Sequence, residues 1–152
     1  MTTPTLKARL RSDLTTSMKE RDELRSATLR MALTAITNEE VAGDVARELS
    51  DDEVITVLGR EAKKRREAAE AFAGAGRAEQ AERERAEGRV LAGYLPAPLT
   101  DEELGDLVAA AVAETGAQGP KAMGSVMKVL TPRIAGRADG SRVAAAVKAA
   151  LS

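Results

Sequence analysis

Apolar residues recur along this chain at helical spacing almost from the start. Leu6, Leu10, Leu14 and Met18 come every four residues, a slowly drifting stripe that predicts a first helix. Leu24, Ala27, Met31 and Ala35 mark one face of a second helix. Leu29, Leu33 and Ile36 give it another apolar face, so it should lie between neighbours. "LSDDEV" is a start signal, because Ser50 can cap while Glu53 closes a capping box. Val54, Ile55 and Leu58 then face inward. "REAKKRREAAEAF" follows, with Glu61 four residues before Arg65 and Arg66 four before Glu70, spacings that suit surface ion pairs. Gly74 and Gly76 stop this helix. A fourth, very polar helix runs to Val90, Leu91, Tyr94 and Leu95, which predicts a helical hairpin with a narrow seam.

"YLPAPLT" is the clearest boundary. Pro96 and Pro98 lack a backbone donor, and each pushes its predecessor out of helical geometry. Thr100 and Glu103 form a second capping box, and Leu104, Leu107, Val108, Ala111 and Val112 fit the amphipathic template. Gly116 ends that helix. Pro120 opens the next, with Met123, Met127 and Leu130 as its stripe and Gly124 as a point of close approach. Val143, Val147 and Leu151 make the stripe of the last helix. Strand signals are nearly absent. The expected fold is all-α, with an N-terminal four-helix domain over residues 1–94 and a small C-terminal three-helix domain over residues 95–152.

Composition narrows the chemistry. Hydrophobic residues make up 43% of 152, but aromatics only 1%, so the core is aliphatic and stacking platforms for bases are scarce. There is no cysteine and no histidine, which removes thiolate chemistry and the commonest general base and metal ligand. A Gly-x-Ser-x-Gly elbow and a phosphate-binding Gly-rich loop are absent from the sequence. "SDDE" and "TDEE" could hold a hard metal, but both sit where a helix start favours acid, and capping accounts for them. No catalytic residue, cofactor or metal is predicted. No run of ~18 apolar residues predicts a membrane span. The start "MTTPTLKARL" has no apolar run behind its basic residues, so a cytoplasmic location is expected.

Charge placement says more. From residue 115 onward Lys121, Lys128, Arg133, Arg137, Arg142 and Lys148 face a single acid, Asp139. The preceding helix holds Asp101, Glu102, Glu103, Asp106 and Glu114 and no base. The six cations are the candidate nucleic-acid-binding residues, although a merely solvated face would carry the same pattern. "GRADGS" reads as a junction between helices. Gly136 suits a left-handed cap, Asp139 or Ser141 can cap the last helix, and Gly140 suits a tight backbone at its start. Arg137 and Arg142 flank a helix start, which favours anions, while Asp139 opposes them there.

Taken in order, "LRSDLTTSMKERDELRSATLRMALTAITNEEV", "EAKKRREAAEAFAGAGRAEQAERERAEGRVLAGYLP", "TDEEL", "MGSVMKVL" and "GRADGSRVAAAVKAAL" resemble the YqeY-like family. These are stand-alone relatives of the C-terminal domain in the B subunit of the tRNA-dependent amidotransferase. The resemblance implies a helical N-terminal domain joined to a small helical tail. In the amidotransferase the tail helps bind the outer corner of tRNA, and related domains assist tRNA binding in some glutaminyl-tRNA synthetases. It also implies a carbon–nitrogen ligase label with glutamine as amido donor, although the glutaminase machinery sits on another subunit. Met123, Gly124, Val126 and Met127 match "MGxVM", and residues 136–140 match "GRADG". Ser141 stands where the family often has Lys, with Arg142 next. The expected function is non-catalytic binding of tRNA or another structured RNA. The alternative is a protein-interaction module in which the hairpin of residues 51–94 docks a synthetase or amidotransferase.

Overall fold

A computed structural model describes residues 3–152. Among these residues there are seven α-helices and no strand: α1 (Leu6–Lys19), α2 (Glu23–Glu40), α3 (Asp51–Gly74), α4 (Ala78–Ala92), α5 (Asp101–Thr115), α6 (Met123–Ile134) and α7 (Gly140–Leu151). A single 3-10 turn, Pro120–Ala122, precedes α6. The chain divides into two compact units, Met1–Leu95 and Pro96–Ser152. No helix of the described residues is long and apolar enough to cross a membrane.

The first unit is built on Leu6, Leu10, Leu29, Ala32, Ile36, Val54, Leu58 and Leu91, all buried. The α1 stripe does not stay inward. Each step of four residues overshoots a turn by about 40°, so after three steps Met18 has rotated roughly 120° away. It is 50% exposed, and Ser17 is buried in its place. The Ser17 hydroxyl lies 2.8 Å from that of Ser26 on α2 and donates to the Leu14 carbonyl. A polar pair is therefore tolerated inside because both hydroxyls are satisfied. Helix α2 packs against α1, α3 and α4, as its two apolar faces require.

Both capping boxes form as read: Ser50 with Glu53, and Thr100 with Glu103. Arg47 adds a two-pronged bond to Glu53, which together with the Ser50 amide holds the Glu53 carboxyl down at about 2. The expected Glu61–Arg65 pair is not the one that forms. Glu61 pairs with Lys64 at 3.0 Å. Arg65 instead reaches across the hairpin to Glu84 and Glu87 of α4, at 3.4 and 3.5 Å. The seam between α3 and α4 is narrow, with Ala69 and Ala81 buried in it. Backbones that close bring an α3 guanidinium within reach of α4 carboxylates, and partly buried charges favour that cross-helix site over a solvated neighbour on the same helix.

Tyr94, just past α4, is the hub of this unit. Its hydroxyl donates to Asp13 of α1 and accepts from Arg25 of α2 at 3.0 Å, and the Arg9 guanidinium lies 5.7 Å above the ring. Burial, then the bond to Asp13, pushes its pKa up from 10.0 to about 12. A neutral phenol preferred by the folded state adds stability that is complete below pH 10 and lost as pH rises toward 12. Tyr94→Phe should cost roughly 1–3 kcal/mol at neutral pH, because Asp13 and Arg25 lose a partner. Urea titrations at stepped alkaline pH should show wild type and variant converging. A constant gap would place the stability elsewhere.

The second unit packs three short stripes: Leu104, Val108 and Ala111 of α5; Val126, Leu130 and Ile134 of α6; and Val143, Val147 and Leu151 of α7, with Leu99 beside them. Here α6 departs from the expected stripe. Val126 and Ile134 are the buried partners of Leu130, whereas Met123 and Met127 flank them, partly buried. Leu107, expected inside, is half-buried.

Candidate nucleic-acid interface

The six candidate cations all lie in the second unit, but they do different things. The turn between α6 and α7 is made by two successive left-handed residues, Ala135 at φ 51° and Gly136 at φ 75°. Glycine adopts that geometry without the strain a side chain brings. Asp139 then caps α7 by accepting from the Ser141 amide at 2.8 Å. The turn places Arg137 and Arg142 against the extended segment that leads into α5. Arg137 Nε donates to the Ala97 carbonyl at 2.8 Å, and its carbonyl accepts from the Leu99 amide at 2.8 Å. Arg142 donates to the Leu99 carbonyl and to Asp101, each at 2.7 Å. Glu103 lies 3.7 Å from the Arg137 guanidinium.

These contacts change the reading of "GRADGSR". Arg137 and Arg142 are not free phosphate ligands. They brace residues 97–101, so that Leu99 can stay buried with both backbone groups satisfied. Arg133 is likewise engaged, in a two-pronged pair with Glu114 of α5. That bond holds the Glu114 carboxyl below the usual carboxylate range.

Lys121, Lys128 and Lys148 are exposed, and their side chains make no hydrogen bond or ion pair among the described residues. They sit on the 3-10 turn, α6 and α7, and that turn packs against both helices. The six cations do not share one stripe. Five residues separate Lys128 from Arg133, about 140° around α6, and six separate Arg142 from Lys148, about 120° around α7. The carboxylates are sorted too. Asp101, Glu103 and Glu114 are taken by arginines, and Asp139 by its cap. Glu102 and Asp106, the ones left, both stand on α5.

Two glycines expected to matter structurally do not. A Cβ added at Gly124 or Gly140 would meet nothing within 4 Å. Gly124 points away from the Val126–Leu130–Ile134 stripe, so no neighbour approaches it, and Gly140 starts α7 with no need of special geometry. Among the described residues no group of carboxylates is arranged to hold a metal ion.

No curated protein matches the chain. Residues 7–151, nearly its whole length, match the family described as Yqey-like protein. The chain belongs to the YqeY family.

Proposed function

We propose that this protein is an accessory factor that binds tRNA, or another structured RNA, without catalysis, in the setting of tRNA-dependent amidation or aminoacylation. The observation that carries this reading is the set of unengaged lysines. The turn before α6, together with α6 and α7, presents Lys121, Lys128 and Lys148, while the unengaged acids of the unit stand on α5. Outward positive charge of this kind suits a phosphate backbone, and paired RNA is read largely through phosphates and hydroxyls. With one Phe and one Tyr in the chain, and Tyr94 buried, single-strand recognition by stacking has no platform.

The alternative, docking of a synthetase or amidotransferase on the α3–α4 hairpin, has less behind it. Many of the hairpin's charges are spent on each other, as in Arg65–Glu84, Arg83–Glu87 and Arg89–Glu82. A carbon–nitrogen ligase activity is not part of the reading, since the chain has neither His nor Cys and its carboxylate clusters serve as helix caps.

Fluorescence anisotropy with bulk tRNA tests the proposal. Replacing Lys121, Lys128 and Lys148 together by Ala should weaken binding at every salt concentration and reduce the log–log salt slope by about 2–3, taking a contribution just under one per phosphate contact. No binding by the wild-type protein at low salt would overturn it.

A further inference from the structure

In the first unit most of the cations are engaged, Arg9 through the Tyr94 ring. Lys7 holds Glu40, Arg47 holds Glu53, Arg60 faces Glu39, and Arg65, Arg83, Arg85 and Arg89 pair with glutamates in or around the hairpin. The exceptions are concentrated. Arg11, Lys19, Arg21 and Arg30, all exposed, make no ion pair or hydrogen bond through their side chains, and all four belong to α1, α2 or the turn joining them. Elsewhere in the unit, among the described residues, Arg77 alone shares that condition.

The Lys7–Glu40 contact shows which flanks of the two helices meet. On α1 the same flank continues from Lys7 to Arg11, four residues on, and to Met18, eleven on. On α2 it continues back from Glu40 to Thr37, Leu33 and Arg30, three, seven and ten residues before. That flank therefore carries Arg11 and Arg30, with Thr37 beside Arg11 and Leu33 between the two arginines. Its one carboxylate, Glu40, is neutralised: Lys7 holds it at 2.8 and 2.9 Å, the Leu49 amide adds a third bond, and Arg11 lies near enough to lower its pKa further. Lys19 and Arg21 extend the positive charge to the α1–α2 turn, roughly 12 Å from Arg11 along the helix. The free acid at that end is Glu20, since Asp22 caps α2.

We propose that this face of the α1–α2 hairpin is a second phosphate-binding surface, which contacts the sugar–phosphate backbone of the same RNA. The inference rests on the RNA-binding reading and adds a contact region to it. Arg11 and Arg30, neither of them in an ion pair, supply the charge, and Thr34 adds an exposed hydroxyl suited to a phosphate oxygen, while the hydroxyls of Thr15 and Thr37 are spent on the Arg11 and Leu33 carbonyls. A membrane surface would need a broad apolar face, and here the exposed large apolar side chains are Met18 and, at the far end of α2, Val41, which lie at opposite ends of the hairpin.

The test uses the full-length protein, labelled bulk tRNA and a salt series, with four proteins: wild type, R11Q/R30Q, R11K/R30K, and the Lys121, Lys128 and Lys148 triple Ala variant. Arg11 and Arg30 are exposed and unbonded through their side chains, so the melting temperature of each double variant should match wild type. The expected result is that R11Q/R30Q binds on the order of tenfold or more weakly near about 0.1 M salt, with a slope lowered by about 2, while R11K/R30K keeps most of the affinity. If R11Q/R30Q binds as wild type does while the lysine variant fails, the α1–α2 surface is overturned and the RNA reading stands. If R11K/R30K loses as much as R11Q/R30Q, charge is not the basis and the surface is overturned. If wild type does not bind, both fall. An acidic peptide that displaces the RNA from the lysine variant but not from R11Q/R30Q would mark the face as a protein site and overturn its assignment to RNA.

Discussion

Leu130→Ala should strip the C-terminal unit of much of its stability. Leu130 is wholly buried at the middle of α6, among residues of α5 and α7. Replacing a buried leucine by alanine costs roughly 2–5 kcal/mol, from lost transfer energy and from the cavity left behind. A unit of residues 96–152 has few other places to draw on: at 0.05–0.15 kcal/mol per residue its whole stability is on the order of 3–9 kcal/mol. The loss therefore takes a large fraction of the total. Urea unfolding followed by circular dichroism, with amide exchange to separate α5–α7 from α1–α4, reads the effect. Leu107→Ala is the internal comparison. Its side chain is only half-buried, so the change should cost about half as much or less. A Leu130→Ala protein within 1 kcal/mol of wild type would mean that α6 is not the centre of this core.

Removing both arginines of the α6–α7 turn should have the next largest consequence, and it should be structural. Arg137 and Arg142 hold the carbonyls of Ala97 and Leu99, and Arg142 also holds Asp101 at the start of α5. Bonds from a charged donor contribute about 1.5–3 kcal/mol each when buried. These guanidiniums are about a third exposed, 35% and 34%, so screening reduces that. A combined loss of roughly 2–3 kcal/mol for Arg137→Ala with Arg142→Ala is expected, read as faster amide exchange at Leu99 and Leu104 and a lower urea midpoint. Arg142→Lys should recover little, because an ammonium cannot span the Leu99 carbonyl and the Asp101 carboxylate with a planar fork. The sequence pattern alone makes this pair an attractive choice for abolishing RNA binding. The geometry says that such a loss would report unfolding. A double variant as stable as wild type would return both side chains to the list of phosphate contacts.

Local chemistry was legible from residue order. Ser50 with Glu53, and Thr100 with Glu103, start helices because a hydroxyl and a carboxylate three residues apart satisfy amides that have no other partner. The Val143–Val147–Leu151 stripe is buried as its spacing implies, since α7 is short enough that a four-residue repeat barely drifts. On α1 the same repeat runs longer, and Met18 ends at the surface. Drift accumulates with length, so the pattern alone does not say at which residue the stripe leaves the core.

The candidate site was legible in residue type and not in role. Six cations near the end of the chain are plain to read, but which of them are engaged depends on partners 19 to 43 positions away: Glu114 for Arg133, Ala97 for Arg137, Leu99 and Asp101 for Arg142. The α1–α2 cations were passed over for the same reason, because a charge is conspicuous only after the pairing of its neighbours is known. By itself, then, the order of residues determined that the chain is helical, where several helices begin, that a proline-rich segment separates two stretches, and that the chemistry of His and Cys is excluded. Tertiary structure alone decided which charges face each other and which face water. The physical reason is range: a cap or a turn is settled within about one turn of helix, whereas an ion pair is settled by whichever side chains folding brings within about 4 Å.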